Sequence, residues 1–574
     1  MIWYLENYKR YKREREALEL LASNEEWLRP LKWRVDDSLR MIWDADILTP
    51  AGNRPVSLRY PNHFPYSPPL VLPRGDMTRW SQHQYGPGGE LCLEYGSDNW
   101  HHDLTGADMM ASAYRLLEGE EPAPGVVEEV ASRHHTTIGQ NFRGIFSRFL
   151  VTRALEEELR TLPEGVMVIA EAAGIYHPDD CVVHVISSIT MPDGRIWKDA
   201  IPKIEALGFK QPVAIFHWPG NQPFPNLRSL TAFREAIAGQ GLVLPDVEYV
   251  VVIFGDSPRA FYIDVEGERV SESAIVPPQL FAPRLDKDHV GISERKVAIV
   301  GCGSLGSKVA VTLARSGVGR FLLVDDDLFL PDNIVRHDLD WREVGTHKAD
   351  SVARRLMLVN PAVKCSMRRH RLSGQESSGA VESLIKSLAA CDILIDATAE
   401  PGVFNYLCAV VSVAKKPMVW AEVFGGAFGG LVARHRPGRE PDPASMRAAI
   451  ENWCADQGKP LPRPTHRYGG GHDVPAIADD ADVTVIAGHA ARVSIDVLIP
   501  RDPSIFPHSV YLIGLAKGWI FDQPFETRPI DVGGPAPADP QEGEDPEEAK
   551  AEYERIAKLF SELKDADTPS AASD

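Results

Sequence analysis

Residues 297–306 read VAIVGCGSLG, an apolar run that ends in glycines at 301, 303 and 306 and passes directly into helical text. Few stretches restrict a chain more. They demand a buried strand, a turn without side chains and a helix start in immediate succession, the setting in which backbone amides cradle phosphates at a helix N-terminus. Asp325 closes the next apolar run, RFLLVDDD, where a carboxylate can accept both hydroxyls of a ribose. A nucleotide site is expected here, and a dehydrogenase-type dinucleotide fold would satisfy these features alone. Strand alternates with helix from this point to about residue 520, which predicts a mostly parallel sheet.

The chain is too long for one core: 574 residues correspond to roughly three to four domains. A net charge of −20 argues against a broad basic surface for nucleic acid. The seven cysteines, at 92, 181, 302, 365, 391, 408 and 454, form neither a Cys-x-x-Cys pair nor a disulfide framework, which predicts a reducing compartment, the cytoplasm. The N-terminus is charged and lacks an apolar signal core, and no window reaches the ~20 apolar residues of a membrane span.

Four segments follow from the text. Residues 1–122 combine an amphipathic helix over about 5–24, a β-prone meander broken by Pro, Gly and Asn, and a second helix for which Thr105 is the expected cap. This is an α+β domain. Residues 150–285 contain long apolar runs such as CVVHVISSI and EYVVVIFGD, predicting a middle α/β domain whose role the sequence does not reveal. Residues 288–520 form the glycine-loop domain, and 530–574 an acidic linker and tail with one helical stretch near 546–564. The chain is therefore expected to be multidomain, α/β and α+β.

Asp327, Asn333, Arg336 and Lys348 follow the ribose acid, and hydride transfer has no evident need for such cations. Attack of a carboxylate on the α-phosphorus of ATP does need them, because negative charge accumulates as pyrophosphate leaves. The order of glycine loop, Asp-x-Asp, Asn-x-x-Arg and Lys over about residues 288–515 resembles the Rossmann-like adenylating domain of ubiquitin-activating enzymes and of the ThiF-type activators of sulfur carriers. The resemblance implies ATP bound by Gly301, Gly303, Gly306, Asp325, Asp327, Asn333 and Asp396, with Arg336 and Lys348 catalytic and a homodimer formed through this domain. Two departures stand out. Where the family commonly has a metal-binding Asp, this chain has Ala399 and Glu400, leaving Asp396 or Glu400 to hold Mg²⁺, or Asp396 merely to cap the next helix. The paired Cys-x-x-Cys zinc motifs of many relatives are also missing.

Cys92 lies in GGELCLEYGSDNW, with Trp100 eight residues on and Leu104 and Thr105 beyond, and upstream stands YPNHFPYSPPLVLP. Over about residues 5–120 this layout resembles ubiquitin-conjugating enzymes, which implies that Cys92 is the thioester nucleophile. A thiol of ordinary pKa is only slightly ionised at neutral pH, so acyl transfer requires an open approach, and the preceding glycines suit it. The family's His-Pro-Asn is absent; His83 stands near its place, and Asp98, His101, His102 and Asp103 are candidates to orient an acceptor amine. The alternative for Cys92 is a buried small hydrophobe.

A second thiol is expected in activating enzymes on a late crossover loop. The corresponding text here, residues 465–498, has no cysteine, and Cys454 in MRAAIENWCADQG is the nearest, either a relay thiol or a core residue. The other five cysteines read as structural. The whole resembles bacterial fusions of conjugating and activating domains found in anti-phage signalling operons. It implies adenylation of the C-terminal carboxylate of a protein partner, a ubiquitin-like protein or a nucleotidyltransferase, then thioester transfer and conjugation to a target protein. Two other readings stand: an adenylyltransferase for a sulfur carrier, with the first domain only docking, and a binding protein without activity, against which Cys92, Arg336 and Lys348 speak.

Overall fold

The computed structural model describes residues 2–50, 52–77, 80–81, 83–85, 88–119, 137–142, 144–178, 180–201, 208–219, 229–255, 257–277, 285, 287–289, 291–372, 376–462, 478–535, 547 and 550–558. They fall into two compact units, Met1–Gly144 and Ile145–Asp574. Among the described residues no helix is long and apolar enough to cross a membrane.

The first unit opens with α1 (Trp3–Glu6) and α2 (Tyr8–Asn24). The expected single helix breaks at Asn7, whose side chain accepts from the Arg10 amide at 3.1 Å and so caps α2. Strands β1 (Leu28–Val35), β2 (Met41–Thr49), β3 (Gly52–Arg59) and β4 (Leu70–Pro73) form an antiparallel sheet in that order, and α3 (Gly106–Gly119) packs on it. Leu18 of α2 and Met109, Met110 and Ala113 of α3 join Ala45, Ile47 and Leu58 in the core, each large side chain contributing about 1.5–3 kcal/mol. Within this apolar layer sits Glu14, fully buried. Its carboxylate accepts from the Tyr60 hydroxyl at 2.8 Å and the Gly106 amide at 2.6 Å and pairs with Arg10 at 2.9 Å. Arg10 in turn donates to the carbonyls of His102 and Leu104, and Arg13 to that of Asp103, so α2 holds the segment after Trp100. Thr105 stands at the N-cap position of α3 as expected, its carbonyl accepting from the Asp108 and Met109 amides, but among the described residues its hydroxyl takes no helix amide. Glu14 occupies the first amide of that helix, and Asp108 reaches back to accept from the Thr105 amide and hydroxyl at 2.8 and 2.9 Å. A short α4 (Ile138–Asn141) ends the described part of this unit.

The second unit contains two sheets. The first comprises β5 (Ser147–Leu150), β6 (Met167–His177), β7 (Cys181–Thr190), β8 (Ile196–Lys198), β9 (Phe209–Trp218), β10 (Tyr249–Phe254), β11 (Ser257–Asp264) and β12 (Arg269–Val276), with α5 (Arg153–Leu159) and α6 (Leu230–Ala238). Its order is β5-β12-β11-β10-β9-β6-β7-β8, and β5 also pairs with β7, which closes the strands between them into a ring. The helices and strands expected here are present, and the sheet is mixed: β9–β10, β5–β12 and β5–β7 run parallel, while β6–β7, β6–β9, β10–β11 and β11–β12 run antiparallel. The reason is local: Phe254 pairs with Ser257 across a turn containing Gly255 at φ +59°, and so short a connection can join only antiparallel strands.

The second sheet comprises β13 (Lys296–Val300), β14 (Arg320–Val324), β15 (Lys364–Arg368), β16 (Ile393–Asp396), β17 (Met418–Val423), β18 (Gly429–His435), β19 (Val510–Gly514) and β20 (Thr527–Ile530). The helices are α7 (Ser304–Arg315), α8 (Lys348–Val359), α9 (Ser378–Ala389), α10 (Pro401–Ala414), α11 (Pro443–Asp456) and α12 (Asp480–Leu498). The order β15-β14-β13-β16-β17-β18-β19-β20 is parallel through β17 and antiparallel beyond. Helices α7, α8 and α12 cover one face, and α9, α10 and α11 the other. The strand order reverses direction between β13 and β16, so the crevice at their carboxyl ends is where a doubly wound sheet receives a ligand. Residues 463–477, the first part of the expected crossover loop, lie outside the described residues, whereas α12 is its returning helix. In the tail, residues 550–558 are helical and exposed.

Candidate nucleotide and thiol sites

The glycine loop emerges from β13 with Gly301 at φ +86°, its amide bonded to the Val324 carbonyl at 2.9 Å. A Cβ on Gly301 would stand 2.8 Å from Thr398 Cγ2, and one on Gly306 1.8 Å from the Gly301 carbonyl oxygen. Packing therefore forces both to be glycine. Gly303 differs: a Cβ there would meet nothing within 4 Å, so packing within the protein does not require glycine, and open space lies beside this residue.

Asp325 clamps the loop rather than standing free. Its Oδ2 accepts from the Cys302 amide at 2.7 Å and its Oδ1 from the Asp327 amide at 2.9 Å. Burial holds this carboxyl above its usual range, against the pull of those bonds and of Lys348. Lys348 begins α8 and places Nζ 2.9 Å from Asp327 Oδ2; the lysine is largely covered while the aspartate is exposed. Asn333 accepts from the Leu330 amide at 2.9 Å, so its side chain shapes the turn Pro331–Arg336. Arg336 ends that turn, with its guanidinium 3.5 Å from the Ala478 carbonyl. Sequence reasoning missed two neighbours. Lys308, one turn into the loop's helix, pairs with Asp480 at 2.7 Å, and His337 bonds the Cys302 carbonyl at 2.8 Å. The first could have been read from its place in the helix after the loop. Nothing in the spacing announces the second.

Asp396 ends β16 against the same loop: the Ala397 amide bonds the Val300 carbonyl at 2.9 Å. Its Oδ1 accepts from the Thr398 amide and hydroxyl at 3.0 and 2.6 Å, and burial pushes the carboxyl up to about 6. Thr398 then accepts from the Glu400 amide at 3.1 Å, so Asp396 organises the entry to α10, and Ala399 takes the left-handed conformation at φ +53° between them. The Glu400 carboxylate pairs with Arg371 at 3.1 Å. Asp396 and Glu400 line a cleft with Phe404, Trp420, Glu422 and Arg447. Burial pushes Glu422 up to about 7, and Arg447 lies over the Phe404 ring at 5.1 Å. The signal for Glu422 was its acid inside the apolar run MVWAEV. Among the described residues no three His, Cys, Asp or Glu side chains converge as a metal cage.

In the first unit Cys92 is partly exposed. Its amide bonds the His83 carbonyl at 2.7 Å, and Leu91 and Leu93 on either side are buried, so alternation pins the backbone and leaves the thiol outward. Trp100 donates from Nε1 to the Pro65 carbonyl at 2.7 Å, fixing the far end of the loop. Asn99 is occupied with the Gly96 amide and the Glu94 carbonyl at 2.7 and 2.9 Å. His101 and His102 are exposed beside Asp103. The Tyr85 hydroxyl, which sequence reasoning passed over, is held above its usual range by burial first and then by the charge of Cys92.

Of the two readings of Cys454, relay thiol or core residue, its burial favours the core residue. Cys454 is fully buried in α11 among Met446 and Ile450, and burial pushes its thiol up to about 11, which disfavours the thiolate. Cys302 is likewise buried within the loop, its thiol raised well above the ordinary value.

Residues 280–441 match the ThiF family. The uncharacterized protein y4qC of Sinorhizobium fredii is 31% identical over 424 residues, 67% of this chain and 71% of that protein. Another uncharacterized protein of that organism, y4oA, is 30% identical over 36% of this chain and 37% of its own length. The ATP-dependent ubiquitin transferase-like protein Cap2 of Vibrio cholerae is 32% identical over 42% of this chain and 40% of its own. The chain thus spans well under half of y4oA and of Cap2, and more than two thirds of y4qC.

Proposed function

The chain belongs to the family of y4qC and carries a ThiF-family domain, and from that premise we propose that it adenylates the C-terminal carboxylate of a protein partner and conjugates it through Cys92. One observation carries the reading. A glycine loop and the clamping acid Asp325 meet at the carboxyl ends of β13 and β14, Lys348 pairs with Asp327 beside them, and Arg336 ends the turn that follows. ATP is the substrate held there, its phosphates against the Gly303 amide and the start of α7, with Asp325 and Asp327 toward the ribose and Asn333 shaping the turn that carries Arg336. A carboxylate oxygen of the partner attacks the α-phosphorus, the bond to pyrophosphate breaks, and Arg336 and Lys348 offset the charge that develops. Lys348 is freed for this by exchanging the exposed Asp327 for phosphate.

Mg²⁺ fits through Asp396, since that cation needs only one or two carboxylates besides phosphate oxygens and water. Bound there, it supplies positive charge to the phosphates. Glu400 fits less well, being engaged by Arg371. The Cys92 sulfur, as thiolate, then attacks the acyl carbon and AMP departs; an amine of the target takes the acyl group and the thiol is restored. The partly exposed thiol between two buried leucines supports this step, as does the likeness of residues 5–120 to ubiquitin-conjugating enzymes. The partner is a ubiquitin-like protein or a nucleotidyltransferase, and the context anti-phage defence in the cytoplasm, a reading that rests on the resemblance of the domain order to bacterial fusions of conjugating and activating domains. Leu330, Val335 and Trp341, exposed beside the nucleotide crevice, support a homodimer through this domain.

The test combines the full-length protein with Mg-ATP and candidate partners encoded beside it, then measures pyrophosphate release and thiol-sensitive adducts on non-reducing gels. Loss of the adduct in Cys92→Ala and of both signals in Arg336→Ala is expected. Pyrophosphate release with no Cys92-dependent adduct would leave an adenylyltransferase whose first domain only docks.

A further inference from the structure

We infer that His337 is a positioning residue for the nucleotide reaction: a neutral imidazole that aims the Gly303 amide at the phosphates and ties the glycine loop to the turn bearing Arg336. The inference rests on the adenylation reading and gives it a residue that no spacing in the sequence announces. His337 is buried, with its ring against Phe329 at 4.9 Å. Its Nδ1 accepts from the Leu339 amide at 3.2 Å, which assigns the proton to Nε2, and Nε2 donates to the Cys302 carbonyl at 2.8 Å. Burial holds the ring neutral, as a donor-acceptor bridge requires.

The consequence follows from peptide planarity. The Cys302 carbonyl and the Gly303 amide belong to one trans peptide unit and point in opposite directions. Fixing the carbonyl on His337 therefore fixes the amide outward. That amide finds no partner among the described residues, and the space beside Gly303 is open for at least 4 Å. The preceding peptide unit is held separately, through the Cys302 amide, by Asp325 at 2.7 Å. Two successive peptide planes of the loop are thus clamped from two distant segments. His337 also directly follows Arg336 in the chain, so displacing the imidazole disturbs the amide and the guanidinium together.

The full-length protein and its His337→Asn and His337→Gln variants test this by titration calorimetry with Mg-ATP and by hydrogen–deuterium exchange over residues 301–304. Asn keeps an acceptor for the Leu339 amide but is too short to reach the Cys302 carbonyl; Gln carries its amide nitrogen out to that oxygen. Expected for Asn is roughly tenfold weaker ATP binding, equivalent to about 1.4 kcal/mol, with faster exchange confined to the loop. Gln is expected to restore both toward wild type. ATP affinity and loop exchange unchanged in Asn would overturn the inference, as would equal losses in Asn and Gln, which would mark His337 as a packing residue only. Should the wild type bind no ATP, the adenylation reading fails, while loop exchange still reads the clamp: faster in Asn alone upholds it, and unchanged exchange removes it.

Discussion

The glycine loop, at the carboxyl end of the interior strand β13, and the Cys92 loop each present a short chemical motif, yet they are held in opposite ways. Around Gly303 the peptide planes are fixed by side chains from elsewhere, Asp325 and His337, and two of the glycines are forced by contacts as close as 1.8 Å. Around Cys92 the anchors are the chain's own backbone and neighbours, the His83 carbonyl, the buried Leu91 and Leu93, and Trp100. Phosphate binding needs amides aimed before the ligand arrives, whereas a thioester nucleophile needs access. The difference teaches that side chains from other segments aim the amides where charge must be stabilised, whereas the thiol loop is held by its own backbone and neighbours, which leaves the sulfur accessible where an acyl group must enter and leave.

The comparison breaks first at Cys92. Cys92→Ala is expected to abolish the thiol-sensitive adduct completely while pyrophosphate release continues, as measured on gels and by phosphate assay. Equal loss of both would mean that the loops do not divide activation from transfer. Arg336→Ala should remove both signals, lowering pyrophosphate release by about a hundredfold or more, the scale of removing one charge-stabilising donor, and the adduct with it. Next comes the buried anchor of the first unit. Glu14→Ala leaves Arg10 buried and the first amide of α3 unsatisfied, at a cost of about 3–5 kcal/mol. Thermal melting of this variant should show loss of the first unit, with ATP binding retained.

What the sequence made legible follows the same division. Gly301, Gly306, Asp325 and Lys348 were readable because strand, loop and helix fix them locally. Likewise Cys92 and Trp100 were readable from their spacing, and the meander of the first unit from alternation and breakers. Long-range geometry was not. The bond from His337 to Cys302 spans 35 residues and that from Glu14 to Gly106 spans 92; neither leaves a periodic trace. The ring of strands between β5 and β12 depends on β5 pairing on both edges, which no apolar run can declare. Glu422 and Arg447 meet only because α11 packs beside β17.

A smaller effect separates the clamp from its surroundings by pH. His337 is depressed to about 4 by burial first, with Lys348 and Lys308 lowering it further and Asp338 and the Cys302 carbonyl opposing. The unfolded chain therefore takes up this proton first. Stability from His337 is fully present above about pH 6.5 and is lost as pH falls toward 4, by up to about 3 kcal/mol. His184, also depressed to about 4, acts with the same sign, whereas Asp396 and Glu422, raised to about 6 and 7, act oppositely. Melting temperatures of wild type and His337→Gln between pH 4 and 7 isolate the one group, and a parallel pair of curves would remove it as a source of acid sensitivity.

The smallest expected effect is the one that most sharpens the contrast between open and closed thiols. Cys454→Ala deletes one buried sulfur from the core beside Met446 and Ile450, which should lower stability by about 1 kcal/mol and leave the adduct at Cys92 unchanged. The reason is energetic as well as steric. Burial pushes this thiol up to about 11, which disfavours the thiolate that acyl transfer requires at neutral pH, and α11 would have to leave the sheet to expose it. If the adduct instead disappears in Cys454→Ala while melting is unchanged, then α11 does open in solution. The acyl group would then pass through two thiols, and the distinction between a clamped activation site and a single open acceptor would have to be withdrawn.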